Sequence, residues 1–368
     1  MAITQCTEAL AVADRTTGGV TEYDFTLAAR PGETAPELAA RLVSALRDYD
    51  AVLLRAHAFG ALRHAAPLRQ ALGAALGDQA GPVTFVDGHG FRGNDLAGVQ
   101  AVALSGAPVE WIEFGGRRAG AKYEDSQAMY LLLGDLTSNC LTDSPHDQTF
   151  RVFEQLEAAL AQAGFALSEL VRTWLFANDI LAWYGDLNRA RTSFFESREL
   201  FGKFVPASTG VGVANDHPGA AMVAEAVAMK PKRAGVAAKP VASPLQNAAL
   251  NYGSAFSRAA GIWAGGRERV LVSGTASIAK SGETMHVGDV ALQVEQTMAV
   301  VEAMLLSECL TWDQVCRAVV YVVDDAGRAA YDAYCAQHQV PSFPALTARA
   351  DICRDDLLFE IELDGVSD

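Results

Sequence analysis

VLVSGTASI (residues 270–278) opens the run of sequence whose order decides the fold. It is followed by GETMHVGDVALQVEQTMAVVEAMLLSECL from Gly282, AVVYVVDD (318–325), PALTARADIC (344–353) and LLFEIEL (357–363). The first piece is rich in β-branched residues and interrupted by Gly274, which reads as a strand with a bulge or a close backbone approach. In the second, Val294, Met298, Val301 and Leu305 recur at helical spacing. AVVYVVDD reads as a buried strand stopped by two aspartates. GRAAYDAYCAQH (327–338) is a second helix ending before Pro341, and the last two pieces are strands. The order is strand, helix, strand, helix, strand, strand.

The same unit is written again upstream. LVRTWLFAND (170–179) matches the buried strand, and one interval separates both Arg172 from Arg317 and Gln148 from Gln293. PASTGVGV from Pro206 aligns with PALTARAD from Pro344. AMVAEAVAM (221–229) aligns with DLLFEIELD (356–364), which pairs Glu225 with Glu360. PELAARLVSALRDYDAVLLRAHAF with PVTFVDG reads as a third, truncated copy, and Lys230 to Pro244 as a linker or an exposed crossing. Three regions follow: 1–120 with the truncated copy, 121–235 as a degenerate unit, and 245–368 as the unit that keeps the chemistry.

SGT (273–275), GD…Q (288–293), the strand ending in DD, the PA turn and the closing FEIE, in this order, resemble the RidA (YjgF-like) family, also called chorismate-mutase-like. The resemblance implies an α+β fold of tandem units with mixed sheets packed on helices. In such proteins three units surround a threefold axis with sites between them. Copies on one chain therefore imply a pseudo-trimeric barrel, as a monomer or a homotrimer.

Bulk properties narrow the function. The chain has 368 residues, half of them hydrophobic, enough for several packed cores. A formal charge of −15 argues against nucleic acid or an anionic membrane as partner. A small anionic ligand would need a local concentration of arginine. The six cysteines form no CxxC pair, and the N-terminus lacks a signal-peptide pattern, so a reducing cytoplasm is expected. No apolar run reads as long enough to span a bilayer. The seven histidines show no metal-ligand spacing, and no metal or organic cofactor is expected. GHGFRG (88–93) fits a dinucleotide-binding pattern but lacks the helix that should follow. No GxSxG serine elbow occurs.

The candidate site lies in the last copy. On a regular strand from Pro344, Thr347, Arg349, Asp351 and Cys353 share one face. Glu360 on the neighbouring strand would then meet Arg349 and Cys353 in one cleft. Arg349 would hold a carboxylate in its two-pronged fork, and a partly desolvated Glu360 would serve as general acid. The same residues also fit an ordinary surface pair and an exposed edge. NAALNYGSAFSRAAGIWAGG (247–266) is aromatic and glycine-rich, fitting either a loop over a ring-shaped ligand or an irregular edge strand. In the first case Tyr252 and Phe256 cover the ring and Arg258 is a second anion anchor.

The duplicated unit, YGSAFSRA (252–259) and CRDDLLFEIE (353–362) together resemble the chorismatase family. Chorismatases remove the enolpyruvyl group of chorismate as pyruvate without a cofactor. The resemblance implies that Glu360 protonates the enol methylene and that Arg349 and Arg258 hold the two carboxylates. It also implies that Cys353, seven residues before Glu360, marks formation of 3-hydroxybenzoate, with some 4-hydroxybenzoate, where diol-forming members carry Ala. A diol-forming hydrolase, an enamine or imine deaminase and a non-catalytic binding protein are the other readings. The deaminase is disfavoured because Leu346 stands where RidA-like deaminases place their arginine.

Overall fold

The computed structural model describes residues 2–7, 9–91 and 93–367. Three six-stranded mixed sheets follow one another along the chain. The first unit comprises β1 (Ala2–Thr7), β2 (Leu10–Thr17), β3 (Val20–Ala28), α1 (Ala35–Asp48), β4 (Val52–Gly60), α2 (Ala65–Leu76), β5 (Val83–Val86) and β6 (Leu96–Ser105). The second comprises β7 (Glu110–Phe114), β8 (Arg117–Glu124), β9 (Ala128–Leu136), α3 (Pro145–Gln162), β10 (Leu170–Ala177), α4 (Ile180–Ser197), β11 (Ala207–Gly212) and β12 (Met222–Pro231). The third comprises β13 (Ala237–Val241), β14 (Ala259–Ala264), β15 (Arg267–Ala276), α5 (Val290–Ser307), β16 (Val315–Val322), α6 (Asp325–Gln337), β17 (Ala345–Arg349) and β18 (Phe359–Val366).

Each sheet has the same strand order: first, second, third, sixth, fourth, fifth. The fourth and fifth strands pair in parallel, and all other neighbours are antiparallel. The first unit is therefore not truncated: it has the full sheet and both helices. The stretch expected to be a linker is likewise structured, with β12 running to Pro231 and β13 starting at Ala237.

Local chemistry explains the elements. Thr34 and Glu37 form a capping box at the start of α1, and Ser144, Asp289 and Asp324 cap α3, α5 and α6. The DD that ends AVVYVVDD thus stops a strand and starts a helix. Helix α5 is long and apolar enough to cross a membrane by composition alone. Here it buries Val294, Met298, Val301 and Leu305 and packs on β15 and β18. Gln293 and Gln148 do the same work in two units. Gln293 accepts from Leu358 N (2.8 Å) and donates to Asp356 O (2.8 Å); Gln148 accepts from Ala221 N (2.8 Å) and donates to Gly219 O (3.2 Å). Each clamps the turn that leads into the sixth strand.

The units meet head to tail. β4 and β5 lie against β9, β11 lies against β14 and β15, and β17 lies against β3 and β6. A ring of side chains repeats that cycle in the interior. Arg55 of the first unit reaches Glu225 of the second (3.3 Å), and Arg172 of the second reaches Glu362 of the third (2.6 Å). Arg317 of the third donates to Gln100 of the first (2.9 Å). Trp174 lies among the three guanidinium groups, with centroid distances of 4.6, 4.8 and 5.3 Å.

Strand register fixes which residues correspond. Two residues beyond Arg55, Arg172 and Arg317 stand His57, Trp174 and Val319, which face Gln100, Glu225 and Glu362. Glu225 is thus the counterpart of Glu362 and not of Glu360; Glu360 corresponds to Val223 and Gly98. The parallel pairs Thr173–Ser208 and Ala318–Ala345 also shift the PA alignment by one residue.

Candidate active site

The three junctions between units have diverged. At the first–second junction Arg69 pairs with Asp216, and Arg117 (2.9 Å) and His217 (2.7 Å) bind Asp135. Asp135, Asp216 and His217 lie close enough together to suggest a metal site, but both carboxylates are already engaged by arginines. At the third–first junction a wide cleft runs past Phe91, Arg328 and Phe343, with Leu96 and Ala97 near the place of the acid. Only the second–third junction carries Glu360.

Glu360 projects from β18 beside Ala276, its partner on β15. The register of β15 slips between Val272 and Thr275, so the strand bulges at Gly274. A Cβ on Gly274 would overlap Oε1 of Glu360, so a side chain here would push the Glu360 carboxyl out of this place. The Glu360 residue is 4% exposed, and no hydrogen bond to its carboxyl contributes to its environment among the described residues. Burial, then the neighbouring Glu362 carboxylate, push its pKa up to about 8 against the opposing pull of Arg172. At neutral pH it holds its proton.

The rest of the cleft is cationic and aromatic. Arg258, where β14 begins, donates Nε to Asn247 O (3.0 Å) and lies over the Tyr252 and Phe256 rings. Arg191 on α4 donates to Asn188 (2.6 Å) and also faces Phe256. Arg354 donates to Gly282 O (2.7 Å). Among the described residues none of these three has a carboxylate partner. Nη2 of Arg258 and Nε of Arg191 are buried and unbonded. Burial lowers both pKa values, yet a guanidinium stays charged in a protein. Three unpaired cations and a neutral acid in a chain of charge −15 make a seat for an anion.

Cys353 lines the same cleft, with its thiol pushed up to about 12, first by burial and then by Glu360. It interacts with the hydroxyl of Tyr184 on α4, whose own pKa burial raises. The Cys353 side chain is thus a neutral wall, not a thiolate nucleophile.

The structure brings together Glu360, Cys353, Arg258, Tyr252 and Phe256. It does not bring Arg349 to them. Strand β17 ends at Arg349, and the chain then leaves β16 to make an isolated bridge between Asp351 and Gly212 of β11. The alternation assumed from Pro344 to Cys353 therefore stops halfway. Arg349 pairs with Asp325 (2.8 Å), over the Phe91 ring, at the neighbouring junction. Arg191, Arg354 and Tyr184 were missed. Arg354 stood beside Cys353 in sequence. Arg191 and Tyr184 come from the preceding unit, where only a model of sites between units could have found them.

A family model described as Endoribonuclease L-PSP matches residues 133–230. Among solved structures, a chorismatase is similar with a TM-score of 0.61 and 19% identity, over 85% of this chain and 93% of that one. The YjgF gene product from E. coli is similar over 35% of this chain and 99% of its own, with 25% identity and a TM-score of 0.28. Yeast Mmf1 is similar over 36% of this chain and 100% of its own, with 20% identity and a TM-score of 0.30. No curated protein sequence matches the chain. The fold is that of the chorismatase: repeated RidA-like units in one chain.

Proposed function

We propose, with the chorismatase fold as the premise, that the second–third junction removes the enolpyruvyl group of chorismate as pyruvate. The observation that carries the reading is a buried Glu360, its pKa pushed up to about 8, facing three arginines without carboxylate partners. The substrate has the matching chemistry: two carboxylates, and an enol ether whose methylene carbon accepts a proton. Arg258, Arg191 and Arg354 neutralise the carboxylates. Glu360 delivers its proton to the methylene, and the ether carbon becomes oxocarbenium-like. Water adding there gives a hemiketal that collapses to pyruvate and a ring diol. Attack by the ring's own 4-hydroxyl on C3 instead expels pyruvate and, with loss of the hydroxyl proton, closes an epoxide; opening of its C4–O bond with loss of the C3 proton and reprotonation of the oxygen gives 3-hydroxybenzoate. The cyclic arginine contacts support a further part of the reading, that three units in one chain stand in for three subunits of a closed ring.

The cavity beside Glu360 measures about 40 Å³. It holds a few waters but is far below the roughly 300 Å³ at which ligand pockets begin. Substrate entry therefore requires the cleft to widen. The test is incubation of the pure protein with chorismate, with pyruvate measured enzymatically and ring products separated by chromatography. Binding of chorismate without pyruvate release would leave only a ligand-binding role.

The arginines make a prediction of their own. Arg258→Ala and Arg191→Ala should each weaken substrate binding by about 2–5 kcal/mol, the penalty of a buried charge left unpaired. Arg258→Lys should recover only part of it, because an ammonium lacks the fork. Arg349→Ala, at the neighbouring junction, should bind like the wild type. Titration of a non-reacting chorismate analogue reads all four variants, and an Arg349→Ala effect as large as that of Arg258→Ala would move the site.

Product choice rests on Cys353. Its thiol occupies volume beside the acid and donates only weakly, which disfavours an ordered attacking water. The wild type should release mainly 3-hydroxybenzoate. Cys353→Ala should shift the mixture towards the non-aromatic diol while still releasing pyruvate. An unchanged product ratio would assign the choice to other residues of the wall.

A further inference from the structure

The seam between the second and third units runs directly beneath the acid. Thr209 on β11 is 1% exposed and does not line the cleft. Its hydroxyl accepts from Gly274 N (3.0 Å) and from Arg172 Nη2 (2.7 Å), and donates to the Glu362 carboxylate. One residue earlier, Ser208 N donates to Ser273 Oγ (2.9 Å), so two consecutive residues of β11 hold the two residues of the bulge. Gly274 is the residue against which the Glu360 carboxyl rests. Its N–H is committed to Thr209 and is withheld from Glu360.

We propose that Thr209 is a positioning residue for the acid: by taking the Gly274 N–H it denies Glu360 the backbone donor that would favour its ionised form. The physical reason is general. A carboxylate that accepts a backbone N–H is stabilised against protonation, and a general acid so held would give up its proton to bulk water. The acid therefore belongs to one unit and a residue that withholds a competing donor from it to the preceding one. Other groups also act on Glu360. Glu362 and Arg172 stand behind it with opposite signs, and Tyr321 is its cross-strand neighbour on β16. Cys353, Arg191, Arg258 and Arg354 face it across the cleft and make no bond to Thr209, whereas Arg172 and Glu362 each do.

The inference rests on the chorismatase reading for its kinetic test, and a second readout keeps the two apart. Thr209→Val keeps the shape and removes the hydroxyl. The freed Gly274 N–H should turn to Glu360, and the alkaline limb of the kcat/KM profile should move down by about one pH unit. Below the new limb the rates should converge on the wild type. Thr209→Ser, which restores the hydroxyl, should restore the limb. Should Thr209→Val not fold, Thr209→Ala carries the same expectation. The second readout is infrared titration of the Glu360 carboxylic-acid band, assigned by its loss in Glu360→Gln, in wild type and variant without substrate. A downward shift of that titration supports the inference even if chorismate is not turned over, which would sink only the proposed reaction. A variant that is slower at every pH, with limb and infrared titration unmoved, would make Thr209 merely structural and overturn the inference.

Discussion

Glu360→Gln should lower kcat on chorismate by about 10²–10⁴-fold, the range a positioned general acid contributes, while an analogue still binds. Gln has the shape of a protonated Glu and can occupy its seat against Gly274, but it has no proton to give to carbon. Wild-type activity should be flat on the acid side and fall above about pH 8, because the reacting form is the protonated one. A carboxyl at its ordinary value of 4.5 would already be ionised at neutral pH. The same shift has a stability consequence of known sign. Its folded pKa is raised, so the contribution of Glu360 to stability is full below about pH 4.5 and lost as pH rises through about 8. Glu360→Gln should therefore unfold no more easily than the wild type, and less easily at pH 9. Thermal melts at two pH values, with pyruvate release measured beside them, test both halves. Turnover near the wild-type rate in Glu360→Gln would remove the acid from the mechanism.

Much of this arrangement is legible in the sequence. The order of elements from Val270 to Leu363 names the fold unit, and Arg172 with Arg317 and Gln148 with Gln293 expose its repetition. Those residues are legible because each does one job that no other type does: the arginines fill a desolvated ring, and the glutamines bond both edges of a turn. Gly274 was legible as a close approach, though not what approached it. The first unit reads as only a truncated copy because, although Arg55 keeps its type, other corresponding residues changed theirs. Leu38 stands in α1 where α3 and α5 carry their glutamines, and Gln100 stands where the other units carry a glutamate. Pairing Glu225 with Glu360 failed because two glutamates two residues apart offer equivalent alignments, and only strand register separates them. Arg349 failed for a different reason. Alternation places side chains only while a strand lasts, and nothing local announces that β17 stops at Arg349 to let the chain bridge to β11.

Glu362→Gln should be the most destabilising single change in the interior, costing about 3–5 kcal/mol, because it strips the carboxylate from two buried arginines. Glu362 is fully buried and accepts from Arg172 (2.6 Å), Arg317 (2.7 Å), Trp174 (2.6 Å) and Thr209. Burial alone would raise its pKa, but Arg317 and Arg172 overcome this and hold it below the usual carboxylate range. The sign follows: a folded pKa held down contributes stability above the unfolded value near 4.5 and loses it as pH falls below. Wild type should therefore weaken in acid more steeply than Glu362→Gln, and the two unfolding curves should approach each other at low pH. Glu225→Gln should show a smaller version, since Glu225 answers to Arg55 and a hydrogen-bonded His57. The third position shows why the ring holds two glutamates and not three. The Gln100 amide donates to Ala318 O (2.8 Å) while its oxygen takes Arg317 (2.9 Å), and a carboxylate could not make the donation. Gln100→Glu should thus also destabilise, although it adds a partner for an arginine. Denaturant unfolding of the three variants ranks them. A Glu362→Gln protein as stable as the wild type at pH 7 would mean that the arginines find other partners, and the ion pair between Arg172 and Glu362 would lose its place as a bond between units.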